Sequence, residues 1–114
     1  MSQYLVLIKD LVLGTQIRAV CEQKQKIYKS ARSNEAFNDS LQGLKPECAV
    51  IDLNISSADP FLAIKQAQKS KSIKRIMCFY SHVNQDLADR AAALGISEIY
   101  RRSKFFNNLE GLLN

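Results

Sequence analysis

The sequence predicts an α/β fold: an open parallel sheet of five strands with helices packed on both faces. Three observations lead there. Residues 4–8 (YLVLI), 48–51 (CAVI) and 76–80 (IMCFY) are short, almost wholly apolar runs flanked by polar residues, the pattern of strands buried on both faces. Residues 26–31 and 98–101 are weaker runs with charges inside them, which suits the edges of a sheet. Between and after these runs the apolar residues recur at helical spacing.

Each helix has its own signals. The first carries Leu13, Ile17, Val20 and Cys21 on one face. The second carries Phe37, Leu41 and Leu44, with Ser33 or Asn34 as N-cap. The third opens on Asp59-Pro60, Asp capping and Pro taking the first helical position, and offers Phe61, Ile64 and Ala67 to the core. The fourth carries Leu87, Ala88, Ala91, Ala92 and Leu94 and stops at Gly95, a natural left-handed terminator. The last runs from Phe105 or Phe106 through Leu109, Leu112 and Leu113, with Ser103 as its cap. Strand then helix, five times over, with right-handed crossovers gives a parallel sheet covered on both sides. Three buried strands and two edge strands match the flavodoxin-like order 2-1-3-4-5. Residues 1–114 are expected to form one domain.

Composition removes several classes of function. At 46% hydrophobic residues the chain can bury a core without metal or disulfide. Cys21, Cys48 and Cys78 sit in apolar stretches without a Cys-x-x-Cys spacing, and read as small buried hydrophobes in a reducing compartment. His82 is the only histidine, which leaves no zinc site and no catalytic dyad. Gly14, Gly43, Gly95 and Gly111 form no phosphate-binding loop. No run reaches the about 18 apolar residues of a membrane span, and no basic segment precedes the first strand, so the chain is expected to be cytoplasmic. The net charge of +5 is split between Lys69, Lys71, Lys74 and Arg75 before the fourth strand and Arg101, Arg102 and Lys104 after the fifth. That division disfavours nucleic acid, which prefers one contiguous stripe.

In such sheets the site lies beyond the carboxyl ends of the strands. There the sequence puts Lys9 and Asp10 after strand one, Asp52 and Asn54 after strand three, Ser81 and His82 after strand four, and Arg101 and Arg102 after strand five. A carboxylate can accept a phosphoryl group. Mg²⁺ binds one or two carboxylates and keeps several waters. A cation and a hydroxyl can hold phosphoryl oxygens.

The segment from Asp52 to Phe61, DLNISSADPF, resembles the stretch after the phosphoacceptor strand of response-regulator receiver domains, where the phosphorylated Asp leads a D-L-x-M-P-x-x-D-G-like run. The likeness spans essentially the whole chain and includes Ala92-Ala93-Leu94-Gly95, similar to the family's A-x-x-A-G turn. It implies Asp52 as phosphoacceptor, Asp10 as one of the paired Mg²⁺-binding acids, Ser81 as the hydroxyl that senses the phosphoryl group, and Arg102, seven residues beyond Gly95, where the family has Lys. Ile99 falls on the aromatic switch position, and Tyr100, one residue on, should point to the other face.

The departures carry consequences. Lys9 stands where the second acid is usual, so Mg²⁺ should bind weakly, through Asp10, Asp52 and Asn54. Ser56 and Ser103 replace usual prolines. Lys9 and Arg102 facing Asp10 and Asp52 predict a salt-bridged Asp52. The pattern resembles the atypical or pseudo-receiver branch. It implies a signal-transduction module, not an enzyme, acting on a protein partner or as a homodimer through the face of the fourth helix, fifth strand and fifth helix, with Ile99, Arg101 and Lys104 exposed there. The alternatives are a working single-domain response regulator phosphorylated on Asp52 by a histidine kinase, and a basic nucleic-acid-binding α/β domain.

Overall fold

The computed structural model describes residues 2–114. Five strands, β1 (Gln3–Leu7), β2 (Ile27–Ala31), β3 (Cys48–Asp52), β4 (Arg75–Tyr80) and β5 (Glu98–Arg101), alternate with helices α1 (Leu11–Gln23), α2 (Asn34–Leu44), α3 (Pro60–Lys69), α4 (Gln85–Ala93), α5 (Arg102–Asn107) and α6 (Leu109–Leu112). The strands are all parallel, in the order β2-β1-β3-β4-β5. The three apolar runs are the three inner strands and the two charged runs are the edges, because only inner strands have both faces covered.

Strand alternation divides the core in two. Leu5, Leu7, Ala49, Ile51 and Cys78 face α2, α3 and α4, where they meet Phe37, Leu41, Ile64 and Ala91. Tyr4, Val6, Val50, Met77 and Phe79 face the other way, against Ile17 and Cys21 of α1 and Phe105, Leu109 and Leu113 of the C-terminal helices. Phe79 stacks on Phe105 with ring centroids 5.0 Å apart. All three cysteines are buried free thiols, and desolvation pushes the Cys48 and Cys78 thiols up to about 12, too high for a reactive thiolate.

The caps follow the sequence closely. Ser33 Oγ accepts from Ala36 N at 3.1 Å, and Asp59 Oδ1 accepts from Phe61 N and Leu62 N ahead of Pro60. Gly95 has φ +92°, and the chain turns back there with Ile96 N donating to Ala91 O. Other residues depart. Leu44, in the last turn of α2, is exposed, and Ala92 lies on the solvent side of α4. The single last helix is two. Helix α5 starts at Arg102, so Ser103 lies within it and caps nothing, and the chain breaks at Asn108, whose side chain donates to Lys104 O at 2.8 Å. Asn readily takes such a local bond in place of the helical one.

Candidate functional site

β3 ends on Asp52, 6% exposed and the only buried Asp, Glu, Lys, Arg or His among the described residues. The run CAVID puts it there: four apolar residues carry the strand through the middle of the sheet, and the fifth emerges at its carboxyl end. Its Oδ1 accepts from Asn54 N at 2.9 Å. Burial raises the carboxyl pKa above the usual range; the Asn54 N–H and the Arg102 charge pull it down, and the Asp10 charge pushes it up further. Asp52, Asp10 and Arg102 therefore share one electrostatic neighbourhood.

The expected salt bridge is not formed. The only ion pairs among the described residues are Arg18–Glu22 and Arg75–Glu98. Arg102 sits at the start of α5 beyond β5, two strands from Asp52, and its Nε is buried without a hydrogen-bond partner. Lys9 is exposed and lines a crevice of about 140 Å³ with Arg18, Tyr28, Ser30 and Arg32. Asp10 lines the same crevice.

Asp10 is the N-cap of α1, its Oδ1 accepting from Leu13 N at 3.0 Å. Asn54, expected to help hold a metal, has its side-chain amide committed elsewhere: Oδ1 accepts from Ser81 N at 2.7 Å and Nδ2 donates to Asn84 Oδ1 at 2.7 Å. It clamps the loop after β3 to the loop after β4 and thereby fixes Ser81, which is half-exposed. A second clamp holds the other side of the loop. Asn34 Nδ2 donates to Asp59 O and Asn34 Oδ1 accepts from Asp59 N, both at 2.8 Å, and Ser57 Oγ donates to Arg32 O at 2.6 Å. Neither clamp was readable in sequence, since Asn34 and Asn54 look like ordinary cap and loop residues.

Ile99 is partly buried against the α2–α3–α4 core, not exposed as expected, because β5 turns it inward; Arg101 and Lys104 are exposed. Tyr100 faces the opposite core as predicted, 6.0 Å from Phe105 between centroids. His82 is a solvent-exposed loop residue. Sequence reading passed over Leu11, Val12 and Val83, which are 71%, 68% and 73% exposed. They follow β1 and β4 on either side of Asp52. Leu11 and Val12, apolar yet left outside the helical pattern, were the available signal.

The oxygen donors at this rim bear on Mg²⁺. Asp10 lies near enough to Asp52 to raise its pKa, and in each carboxylate Oδ1 holds a backbone N–H while Oδ2 makes no such bond. No group of three or more His, Cys, Asp and Glu able to hold a metal occurs among the described residues. Two carboxylates with water fit a weakly held Mg²⁺.

No family model and no curated protein matches the sequence. Solved structures do. The chemotaxis response regulator CheY4 of Vibrio cholerae superposes with TM-score 0.83 at 11% identity, over 99% of this chain and 96% of that one. A response-regulator signal receiver domain from Bermanella marisrubri does so with TM-score 0.80 at 16% identity, over 100% of both. The chain has the receiver fold. A third receiver domain, of a DNA-binding response regulator from Colwellia psychrerythraea 34H, gives TM-score 0.79 at 16% identity, over 99% of this chain and 98% of that one. At these identities the likeness establishes architecture, and chemistry rests on the residues themselves. Among the described residues no helix is long and apolar enough to cross a membrane.

Proposed function

We propose that this receiver-fold chain is a cytoplasmic signal-transduction module of the pseudo-receiver kind. It works by protein contact, without turnover, and Asp52 stands at the phosphoacceptor position of a weakened site. The observation that carries the reading is the Asn54 side chain beside the buried Asp52, bonded to Ser81 and Asn84 and so not free to help hold a metal. The weakening follows from the neighbours. Lys9 replaces a second acid, and the Asn54 side chain is occupied by Ser81 and Asn84. Asp10 and Asp52 alone would hold Mg²⁺, whose charge when bound would help neutralise phosphoryl oxygens.

Contact is proposed through the α4–β5–α5 face, by a protein partner or a second copy. Arg101 and Lys104 are exposed there, and the exposed Val83 before α4 extends that face to the Asp52 rim.

A second reading, a working receiver, gains from one observation: the unpaired Asp52 and Arg102. Asp52 would then take a phosphoryl group from a kinase histidine. A bond forms from its carboxylate oxygen to phosphorus as the P–N bond breaks, the electron pair leaving with the imidazole nitrogen. Arg102 and Ser81 would hold the phosphoryl oxygens. Adding Mg²⁺ with acetyl phosphate or beryllium fluoride, followed by mass and amide chemical shifts, separates the two. The proposed reading expects no mass gain and no shifts beyond those of weakly bound Mg²⁺ alone, and tighter Mg²⁺ binding in Lys9→Asp. Shifts at Asp52, Ser81 and Arg102 that vanish in Asp52→Asn would establish the working receiver instead.

A further inference from the structure

One sizeable groove is remote from Asp52. It has a volume of about 800 Å³ and opens between the carboxyl-terminal halves of α2 and α3, at the amino-end rim of the sheet. Leu41 and Leu62 supply its apolar surface, Leu62 being 44% exposed. Lys45, Lys69 and Lys71 stand along it, exposed, and among the described residues they form no ion pair and no acidic residue lines the groove. Gln66, on α3, contributes a side-chain oxygen that is buried without a hydrogen-bond partner.

The lysines have one role within the fold. Lys69 lies in the last turn of α3 and Lys45 is the C-cap of α2, where positive charge complements the helix dipole. Two helix carboxyl ends carry together about one negative charge, against three lysines. A net positive field of about two charges therefore remains over an apolar floor. A groove between two helices with that polarity fits an amphipathic segment: apolar side chains against Leu41 and Leu62, acidic ones toward the lysines, and a donor to satisfy Gln66. A nucleic acid would leave the leucines unused, and a neutral apolar ligand would leave the lysines unused.

We propose that the α2–α3 groove is a docking site for an acidic amphipathic peptide segment of a partner protein, separate from the Asp52 rim. This does not depend on whether Asp52 is phosphorylated.

The test uses the intact chain and a panel of fluorescein-labelled 12-residue peptides. These carry two Leu at i,i+2, i,i+3 or i,i+4 spacing among Glu residues, with Lys-for-Glu and scrambled controls. Anisotropy is expected to show saturable binding of at least one acidic member, with amide shifts confined to the ends of α2 and α3. Affinity should fall at least tenfold in Lys69→Glu/Lys71→Glu and severalfold in Leu62→Ser. Leu62→Ser should leave the protein folded, and Lys69→Glu/Lys71→Glu should lower its thermal melt only by the lost helix-dipole complement at Lys69. Binding by no member would overturn the proposal. So would equal binding of scrambled peptides, shifts centred on Arg101 and Lys104, or tighter binding to anionic phosphatidylserine vesicles or mixed-sequence RNA than to any peptide.

Discussion

Two arginine–carboxylate encounters stand at opposite ends of the same sheet, and only one of them closes. At the amino end Arg75 Nε and Nη2 fork onto Glu98 Oε2 and Oε1, each at 2.7 Å, while Nη1 donates to Leu112 O at 2.6 Å. One side chain thus joins β4, β5 and the C-terminal helix. The Glu98 pKa is held below the usual carboxylate range, first by that hydrogen bonding. At the carboxyl end Asp52 and Arg102 feel each other's charge and do not pair, and the carboxyl is pushed up by burial. The planar fork of Arg is worth most where it meets a carboxylate bidentately. Here the fold closes that fork at the end where it braces structure and leaves it open at the end where the Asp52 rim lies. A buried charge without an ion-pair partner costs stability even when, as at Asp52, a backbone N–H bonds it.

The comparison breaks most sharply at Arg75. Arg75→Ala removes three hydrogen bonds and leaves Glu98 and the Leu112 carbonyl unpaired, and is expected to lower unfolding free energy in urea by about 2–3 kcal/mol. The difference from the parent protein should have a definite pH dependence. With a Glu98 pKa below its ordinary 4.5, the contribution is present above 4.5 and is lost as pH falls through the lowered value. A loss equally large at pH 2 would show that the ion pair is not its source. Asn54→Ala comes next, at about 1–2 kcal/mol, from two lost hydrogen bonds. Its distinctive readout is faster hydrogen exchange at the Ser81 amide, which Asn54 Oδ1 holds in the folded protein; unchanged exchange would sever Asn54 from the positioning of Ser81.

The smallest effects, with the opposite sign, are expected at the open pair. Asp52→Asn keeps the shape and the acceptor for Asn54 N but removes a charge that burial penalises, so it should raise the melting temperature at pH 7. Since the folded pKa lies above its ordinary 3.8, the penalty is absent below 3.8 and grows as pH rises through the folded value. The gain should therefore fade in acid. Arg102→Gln should stay within about 0.5 kcal/mol of the parent, because no ion pair is lost. A destabilising Asp52→Asn at neutral pH would mean that the two ends are alike after all.

Much of the fold was legible because its signals are local. Residues 48–51 are apolar beyond what a half-exposed strand tolerates, Asp59-Pro60 ahead of an apolar run favours a helix start, and Gly95 ends one at φ +92°. Asp52 was legible for the same reason, as the first charge after a buried run. Its surroundings were not. Whether Lys9 turns toward β3 or β2, whether Arg102 reaches across β4, and whether the Asn54 amide faces an ion or Ser81 depend on loops that lie together only once the sheet has formed.

By itself the sequence determined the strand order, the starts of α2 and α3, the end of α4, and the rim on which Asp52 stands, since periodicity and caps act within a few residues. Only the tertiary structure decided that Asp52 is unpaired, that Arg75 and Glu98 close across β4 and β5, and that Lys45, Lys69 and Lys71 surround an apolar groove. Those outcomes turn on distances between side chains 20 or more residues apart in the chain, which no local pattern encodes.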